Sequence, residues 1–393
     1  MLFSPLIILG ALALVLIASG LLEFRYHQLV LSSIPIRIHV NGTRGKSSVT
    51  RLIAAGLRAG GKRTFAKTTG TAPRVIDSKG IDRIIHRLRR PSIGEQVRLL
   101  KYFSSENPDV VVMECMAVQP QYQWISEHQM VKSHIGVITN ARPDHLDEMG
   151  PTEVDVVKSL CNSIPVGGTL VTAEDKHKDI LQSVADRNQS EIFFSDESSV
   201  SEKDLNNFAY IEHPQNVAIA LDVCHKMGVE RDIALSGMHS VRPDLGALVV
   251  WKLLGKQGSL QFVNGMAAND PVSTLQIWKF VIDRYPTTSG TAVFFNSRDD
   301  RPLRTKQMLE LTFEEIKPEY FIIRGDKIEA KVRRLLHHSP DTDVSIFSLN
   351  ESIDNVSESI LSLPDDVLVF AIGNQVGTGQ EILQKLSESR DND

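Results

Sequence analysis

This sequence contains few cysteines and has no excess of basic residues. Its 393 residues include three cysteines, Cys115, Cys161 and Cys224, which are too few and too scattered for a disulfide framework or a zinc site. We therefore expect buried free thiols in a reducing compartment. The 43 Lys and Arg residues face 48 Asp and Glu residues, so the net charge is −5 and no nucleic-acid partner is expected. With 42% apolar and 23% charged residues, the composition excludes a disordered chain and a multi-span membrane protein.

Charge is missing altogether from the 17 residues Leu6–Leu22. A spanning helix needs roughly 17–25 apolar residues, so we expect a transmembrane anchor over residues 1–23 and a juxtamembrane linker over 24–34. A cleaved signal peptide is the alternative, but no basic residue precedes the apolar run. Arg25 and Arg37 follow it, so the positive-inside rule predicts a single-pass protein of the cell membrane with its body in the cytoplasm.

Short apolar runs alternate with helical patterns along the rest of the chain, which is typical of an α/β protein with parallel sheets. The predicted strands are Ile36–Asn41, Val110–Met113, Ile135–Thr139, Thr169–Thr172, Ile192–Phe194, Phe208–Ile211, Leu260–Asn264, Ala292–Asn296, Tyr320–Ile323 and Val367–Ile372. Helices are predicted over Lys46–Leu57, Asn216–Met227 and Val272–Ile282. The dense turn residues of Arg242–Gly246 predict a boundary between a larger domain, 35–241, and a smaller α/β domain, 242–393.

A glycine-containing loop follows the first of these strands. It reads Gly42-Thr43-Arg44-Gly45-Lys46-Ser47, and Ser48 continues into the predicted helix. Glycines let backbone N–H groups surround phosphate oxygens, and the helix N-terminus adds a positive dipole. In such loops the lysine reaches the β- and γ-phosphates and the Ser hydroxyl binds Mg²⁺. Val40 stands where the full phosphate-loop motif has a further glycine, so the motif is incomplete. Its place between a strand and a helix predicts a nucleotide site.

Three further groups of polar residues accompany the loop. Glu114 ends an apolar strand, where a carboxylate can reach Mg²⁺, although a solvated strand-end Glu gives the same pattern. Asp144 and His145 follow the strand Ile135–Thr139. They are either residues of the site or a surface ion pair. His213 and Asn216 lie three residues apart on one helical face. They either contact the nucleotide or cap the N-terminus of the helix.

Together these residues resemble the Mur ligase superfamily, which includes the folylpolyglutamate synthases. The motifs that carry the resemblance are Gly42–Ser47, Glu114, Thr139–Asp147 and, shifted by one residue, His213–Ala220. The chain is more closely similar to the membrane-bound poly-γ-glutamate synthase subunits, which also pass from one apolar helix directly into the phosphate loop. The segments of that resemblance are Asn41–Ser47, Lys67–Thr71, Ile93–Gln96, Glu114–Val118, Asp144–Thr152, Phe262–Asp270, Asn296–Thr305 and Ala371–Asn374.

The chain departs from these families at two places. Val249 stands where the subfamily has an arginine after the domain junction, and Arg242 is the candidate replacement. Lys158, 13 residues after His145, is the nearest candidate for the carbamylated lysine that Mur ligases use for Mg²⁺.

The resemblance implies an N-terminal transmembrane helix, a Mur-ligase-like ATP-binding domain (35–241) and a Rossmann-like C-terminal ligase domain. It implies an ATP-dependent amide ligase that activates a glutamate γ-carboxylate as an acyl phosphate and joins it to the amine of another glutamate. The expected cofactors are ATP and Mg²⁺, with Mn²⁺ as the alternative metal. The expected partners are glutamate, the growing polymer and small integral-membrane subunits of a synthesis and export complex.

The same resemblance implies roles for individual residues. Those expected to be catalytic are Lys46, Glu114, His145, Asn269 and Asp270. Those expected to bind the nucleotide are Gly42, Thr43, Arg44, Gly45, Lys46, Ser47, Ser48, Asn216 and Asn264. Those expected to bind the metal are Ser47, Glu114 and His145, with Thr43 as the alternative to Ser47.

Two arginine groups keep alternative interpretations. Arg298, Arg301 and Arg304 are spaced three residues apart. They could clamp carboxylates bidentately, or they could form a solvated helix face. The cluster Arg83, Arg87, Arg89 and Arg90 suits a solvated or membrane-facing surface, or a track for a polyanionic product.

Two other functions stay open. One is a related ligase that adds glutamate to folate or another small molecule, which would have no reason to carry an anchor. The other is a non-catalytic NTP-binding membrane scaffold, which would not need both Glu114 and His145.

Overall fold

The computed structural model describes residues 5–70, 73–87, 92–208, 210–241, 250–266, 268, 270–298 and 302–391. The chain forms two compact units. Unit 1 comprises Met1–Phe208 and His213–Arg242, and unit 2 comprises Ala209–Glu212 and Pro243–Asp393. Each unit contains a largely parallel sheet with helices, so the predicted α/β fold class is confirmed.

Unit 1 contains an eight-stranded sheet in the order β4-β3-β2-β5-β1-β6-β7-β8. Its strands are β1 (Ile36–Asn41), β2 (Thr64–Thr68), β3 (Arg74–Ile76), β4 (Asp82–Ile84), β5 (Val110–Glu114), β6 (Ile135–Ile138), β7 (Thr169–Thr172) and β8 (Glu191–Phe194). The helices are α1 (Pro5–Ser32), α2 (Lys46–Ala59), α3 (Glu95–Ser105), α4 (Pro120–Ile125), α5 (Leu146–Met149), α6 (Glu153–Leu160), α7 (Lys178–Arg187), α8 (Glu202–Asn206), α9 (Pro214–Lys226) and α10 (Arg231–His239). The pairings among β2, β5, β1, β6, β7 and β8 are parallel, whereas β3 and β4 pair antiparallel.

Unit 2 contains a six-stranded sheet in the order β13-β12-β11-β14-β10-β9. Its strands are β9 (Val250–Leu254), β10 (Ser259–Asn264), β11 (Thr291–Asn296), β12 (Tyr320–Arg324), β13 (Asp343–Phe347) and β14 (Leu368–Gly373). The helices are α11 (Pro271–Arg284), α12 (Pro302–Leu311), α13 (Glu329–Leu335), α14 (Ile353–Leu361) and α15 (Thr378–Ser387). β9 pairs antiparallel with β10, and the other pairings are parallel.

The central strands form because their apolar runs are buried on both faces, as parallel sheets between helices require. Every residue of β5, including the terminal Glu114, is buried. All six residues of β11 are buried as well, in the core of unit 2. The three cysteines are free and buried, as expected from their scarcity.

One predicted strand is wrong. Phe208–Ile211 forms no strand among its described residues, and Ala209 lies outside the described part of the chain. The ring of Phe208 instead packs edge-on against His239 of α10, with the centroids 4.7 Å apart, and Ile211 packs against the core of unit 2. The segment is apolar because it contributes to two cores rather than to a sheet.

The N-terminal helix is longer than the expected anchor. α1 has 28 residues, so residues 24–32, which the sequence assigned to a linker, are helical. The last turns of α1 are held by unit 1, because His27 Nε2 bonds to Met130 O at 2.9 Å. Arg37 Nη1 donates to Leu31 O at 2.6 Å and to Ile34 O at 2.8 Å, which satisfies carbonyls at the helix end. An 18-residue window within Ile7–Ser32 has a mean hydropathy of 2.4 and is not buried, so this helix is long and apolar enough to cross a membrane.

Candidate active site

Three neighbouring strands of unit 1 end at the same edge of the sheet. The order β5-β1-β6 is parallel, so Glu114, Asn41 and Ile138 finish side by side. The loop after β1 enters α2 at Lys46. A crevice at the carboxyl ends of parallel strands is the usual ligand site of such sheets.

The two glycines of the loop are required by their surroundings. Gly42 has φ +131°, and a Cβ there would overlap the side chain of Thr139 and lie 2.9 Å from its backbone N. Gly45 has φ +79°, and a Cβ there would lie 2.5 Å from Asn216 Oδ1. The loop is therefore packed against the end of β6 and the first turn of α9.

Asn140 holds the middle of the loop. Its Oδ1 accepts hydrogen bonds from Thr43 Oγ1 at 2.8 Å and from the Arg44 backbone N at 3.2 Å, while its Nδ2 donates to Arg44 O at 3.2 Å. Thr139 Oγ1 also donates to Arg44 O, at 2.5 Å. These bonds fix the backbone of the loop at Thr43 and Arg44.

The structure brings Ser47 and Glu114 into direct contact. Ser47 Oγ donates to Glu114 Oε2 at 2.8 Å. Lys46 Nζ lies over the loop, donating to Gly42 O at 2.6 Å and to Thr43 O at 3.2 Å. A hydroxyl beside a carboxylate offers the hard oxygen ligands that Mg²⁺ and Mn²⁺ prefer, so these residues fit a divalent metal.

Thr69 is a site residue that the sequence analysis missed. Its backbone N donates to Glu114 Oε2 at 2.6 Å, and its hydroxyl donates to Glu114 Oε1. Thr69 follows β2, which pairs with β5, so the two strand ends are adjacent. The segment Lys67–Thr71 belongs to the family resemblance, but nothing in the sequence places it beside Glu114.

A buried ionic network lies next to Glu114. Lys67, which is fully buried, has its Nζ 3.4 Å from Glu95 Oε1. Arg87 donates to the same carboxylate through Nε at 2.7 Å and Nη2 at 2.9 Å. Burial lowers the pKa of Lys67, against the opposing charges of Glu95 and Glu114. Burial tends to raise the pKa of Glu95, but Arg87 and Lys67 outweigh it and lower that pKa.

This network corrects the interpretation of the basic cluster. Arg87 is not part of a solvated face, because it is bound bidentately to the buried Glu95. Arg83 is 68% exposed and lies 3.7 Å from Asp77. Arg89 and Arg90 lie outside the described residues.

His145 lies on the loop before α5 with a left-handed backbone, φ +47°. Its side chain is 50% exposed, and its Nε2 is 4.0 Å from Asp144 Oδ2. Asp144 also lies 3.6 Å from Arg44 Nη2, which links this segment to the phosphate loop. Among the described residues, no group of three or more His, Cys, Asp or Glu side chains could hold a metal ion. The contacts described for His145 thus do not join it to Glu114.

Three other predicted residues of unit 1 have clear positions. Asn216 is buried in the first turn of α9, against Gly45. Lys158 is exposed on α6 and lines a surface cavity with Asp179 and Arg187, so its described surroundings do not include Ser47 or Glu114. Ser48 is half-buried in the first turn of α2.

The predicted residues of unit 2 follow strand ends or cap helices. Asn264 ends β10, is buried and accepts from the Met266 backbone N at 3.3 Å. Asp270 caps α11 by accepting from the Ser273 backbone N at 2.8 Å. Arg298 lies half-buried in the loop after β11, and Arg304 lies half-buried on α12. The predictions that lie outside the described residues are Asn269, Arg301, Arg242 and Val249.

Two family models match the chain. The Mur ligase middle domain matches residues 40–251, and the C-terminal domain of poly-gamma-glutamate synthase CapB matches residues 250–389. The chain is 34% identical to the capsule biosynthesis protein CapB of Bacillus anthracis over 395 residues, covering 99% of this chain and 84% of that protein. It is 32% identical to the PGA synthase CapB of Bacillus subtilis over 376 residues, covering 95% of this chain and 96% of that protein.

Solved structures share the fold at low sequence identity. E. coli FolC in complex with DHPP and ADP superposes with a TM-score of 0.67 and 15% identity, over 92% of this chain and 91% of that one. The bifunctional folylpolyglutamate synthase/dihydrofolate synthase of Yersinia pestis, complexed with AMPPNP and Mn ion, superposes with a TM-score of 0.63 and 14% identity, over 92% of both chains. With a phosphate loop, a carboxylate in contact with its Ser, and relatives along nearly its whole length, the chain belongs to the CapB family of the Mur ligases and is an ATP-dependent ligase.

Proposed function

We propose that the chain joins glutamate residues through γ-amide bonds, using ATP, at the cytoplasmic face of the cell membrane. The contact between Ser47 and Glu114 beside the phosphate loop carries this proposal, since it supplies the two groups that phosphoryl transfer needs around a metal. The relative named PGA synthase supports glutamate as the substrate.

The proposed reaction has two steps. The γ-phosphoryl group passes from ATP to an oxygen of a glutamate γ-carboxylate, which breaks the bond from the γ-phosphorus to the bridging oxygen and leaves ADP. The amine of a second glutamate then attacks the acyl carbon, phosphate leaves with the bonding electron pair, and the amine gives up its proton to solvent. The product is an amide, ADP and phosphate.

The chain's own residues position and neutralise charge in this reaction. Backbone N–H groups of the loop Gly42–Ser47 surround the β- and γ-phosphates, and Lys46 moves from its loop carbonyls to the phosphoryl oxygens. Ser47 and Glu114 would hold a divalent metal, Mg²⁺ or Mn²⁺, and Thr69 would orient the Glu114 carboxylate towards it. When bound, that metal neutralises the charge that develops on the transferred phosphoryl group.

The remaining predicted residues stay proposals with assigned tasks. We propose that His145 contributes to the metal site, that Asn216 binds adenine, and that Arg44 and Ser48 support the phosphates. The residues of unit 2 proposed to contact the substrates are Asn264, Asn269, Asp270, Arg298, Arg301 and Arg304. Lys158 is exposed beside Asp179 and Arg187, so we propose no carbamylated lysine at the metal site.

Lys46→Gln tests the nucleotide assignment, and Lys62→Gln, just beyond α2, is its matched control. Lys46→Gln removes a cation from the transferred group but leaves the loop's bonds to Asn140 intact. We expect a folded protein with ATP turnover reduced by at least about a hundredfold, since lysine and metal together carry the charge stabilisation. Equal turnover by the two variants would contradict the assignment.

The anchor is proposed to serve the polymer rather than the fold. The docked turns of α1 begin near His27, so deleting residues 1–23 removes most of the exposed apolar residues of α1 and keeps its contacts with the rest of unit 1. Because a charged polymer cannot cross hydrocarbon unaided, we propose small integral-membrane partners that pack on the small residues of α1, such as Gly10 and Gly20. The truncated chain is expected to be soluble and to turn over ATP, but to produce no surface polymer in cells. Normal surface polymer would contradict the membrane complex.

A further inference from the structure

A cavity of about 650 Å³ lies in unit 1 between α2, α10 and the turn that joins β3 to β4. The polar or charged residues that line it include Arg51, Arg58, Lys79, Asp82 and Ser240. Its volume falls within the roughly 300–1,000 Å³ of typical small-molecule sites.

The cavity is separate from the phosphate loop. Arg51, Ala55 and Arg58 are spaced four and three residues apart, so they share one face of α2. The lining residues described for the cavity do not include the loop Gly42–Ser47 or Glu114. Along α2, Arg51 and Arg58 lie five and 12 residues beyond Lys46, about 7.5 and 18 Å at a rise of 1.5 Å per residue. Gly237 of α10 also lines the cavity, and α10 packs closely on α2 there, because a Cβ at Gly237 would lie 2.5 Å from Ala55 O.

The carboxylates around the cavity are already engaged. Asp82 Oδ2 lies 2.7 Å from Arg51 Nη1, and Asp82 Oδ1 lies 3.3 Å from Arg74 Nη1. Asp77 accepts from the backbone N of Lys79 and of Ile81, each at 2.9 Å. Asp77 is also 3.7 Å from Arg83.

Arg58 and Lys79 therefore carry positive charge without an acidic group at ion-pair distance among the described residues. The hydrogen bond described for the Arg58 guanidinium runs from Nη1 to Thr64 O, at 3.4 Å. The pKa of Arg58 is lowered to about 10, chiefly because the side chain is buried; the charge of Asp77 raises the pKa and that of Arg51 lowers it. An anion entering the cavity would relieve this unfavourable burial of charge.

We propose that this cavity binds a segment of the γ-linked glutamyl chain through its α-carboxylates. Such a chain carries one free carboxylate per residue, which matches cations placed on two elements, α2 and the β3–β4 turn. A single phosphate would fill a small part of the cavity, whereas a γ-glutamyl segment brings several carboxylates to it. The identity of the ligand rests on the proposed function, whereas the positive cavity does not.

Binding of a fluorescein-labelled γ-glutamyl decamer to the full-length chain in detergent, without ATP, tests the assignment. Arg58→Gln is expected to weaken binding by about tenfold or more, since it removes a partly buried charge-assisted hydrogen bond. Lys79→Gln, on an exposed turn where folding is not at risk, is expected to weaken binding about threefold. Arg58→Lys is expected to retain part of the affinity.

Arg63→Gln is the matched control, because it removes the same charge from a side chain that is 50% exposed and lies outside the cavity. Equal affinities of the Arg58→Gln, Lys79→Gln and Arg63→Gln variants would overturn the proposal. Displacement of the decamer by inorganic phosphate at an equal concentration of charge would also overturn it, because the site would then be a general anion site.

Glutamate-dependent ATP turnover on the same preparations separates the two proposals. Absence of that turnover in the parent, with decamer binding still dependent on Arg58, would contradict the proposed function and support the cavity. Normal glutamate-dependent ATP turnover, together with decamer binding that is unchanged in Arg58→Gln, would contradict the cavity assignment alone.

Discussion

Gly45 and Gly61 lie at opposite ends of α2 with nearly the same backbone conformation, φ +79° and +81°. An alanine in this left-handed region costs about 1 kcal/mol at either position. The two sites differ in space, because a Cβ at Gly61 meets no atom within 4 Å, whereas a Cβ at Gly45 would lie 2.5 Å from Asn216 Oδ1. Relief of that overlap moves the loop or the Asn216 amide by about 1 Å, to an ordinary separation of roughly 3.5 Å.

The loss of ATP affinity is therefore expected for Gly45→Ala alone. Gly61→Ala should lower the thermal unfolding midpoint by roughly 2–4 °C, since about 1 kcal/mol shifts a domain of this size by that amount. Gly45→Ala should lower it further, because the overlap with Asn216 adds to the backbone cost. Gly45→Ala should weaken ATP binding by about tenfold or more, because a shift of about 1 Å disturbs the amides that receive the phosphates. Gly61→Ala should bind ATP like the parent.

Binding of a fluorescent ATP analogue, measured for the single variants and for Gly45→Ala combined with Asn216→Ala, checks the cause. If the clash is responsible, the double variant binds more tightly than the sum of the two single losses predicts. Parent-like binding by Gly45→Ala would refute the reasoning, since the loop would then not need its observed packing.

Three further predictions concern charged residues of unit 1. Glu114→Gln should raise the Mg²⁺ concentration for half-maximal ATP turnover by at least about tenfold, as a metal titration would show; a curve that overlays the parent's would exclude Glu114 as a ligand. Burial lowers the pKa of His39, but Cys115 and Glu127 outweigh burial and raise that pKa to about 10. The protonated His39 therefore stabilises the folded state fully below pH 6.5, and this contribution is lost as the pH rises towards 10. The unfolding midpoint of the parent should accordingly fall more steeply between pH 7 and 10 than that of His39→Gln, and parallel profiles would contradict this. Lys67→Met should cost on the order of 2 kcal/mol in chemical unfolding, because it removes one of the two cations that pair with the buried Glu95, while Arg87 remains; a loss under about 0.5 kcal/mol would show that the Lys67 pair contributes little.

The central strands of unit 1 were predictable because local sequence and burial agree there. The apolar run of β5 is fully buried, and the glycines of the loop and the helical pattern of α2 match their environment. In β1 the alternation predicts the strand but not its burial, because His39 and Asn41 are buried as well. β2 was missed because Lys67 interrupts its apolar run, and a lysine becomes fully buried only when a distant residue such as Glu95 pairs with it.

The contacts between strand ends were also not predictable, because they too join residues that are distant in the sequence. Thr69 reaches Glu114 because β2 lies beside β5, and that order comes from the crossover of the chain rather than from either segment. The helical residues 24–32 were assigned to a linker because polar residues follow the apolar run there. Their helix is held by tertiary hydrogen bonds from His27 and Arg37, which local sequence does not reveal.

Trapping of the activated carboxylate tests the central claim most directly. The full-length chain in detergent would be incubated with ATP, Mg²⁺, labelled glutamate and hydroxylamine, whose amine can replace that of the second glutamate. We expect labelled γ-glutamyl hydroxamate and ADP in equal amounts, with ADP formation dependent on glutamate and absent from Lys46→Gln. ATP hydrolysis that is the same with and without glutamate, and yields no hydroxamate, would contradict the account.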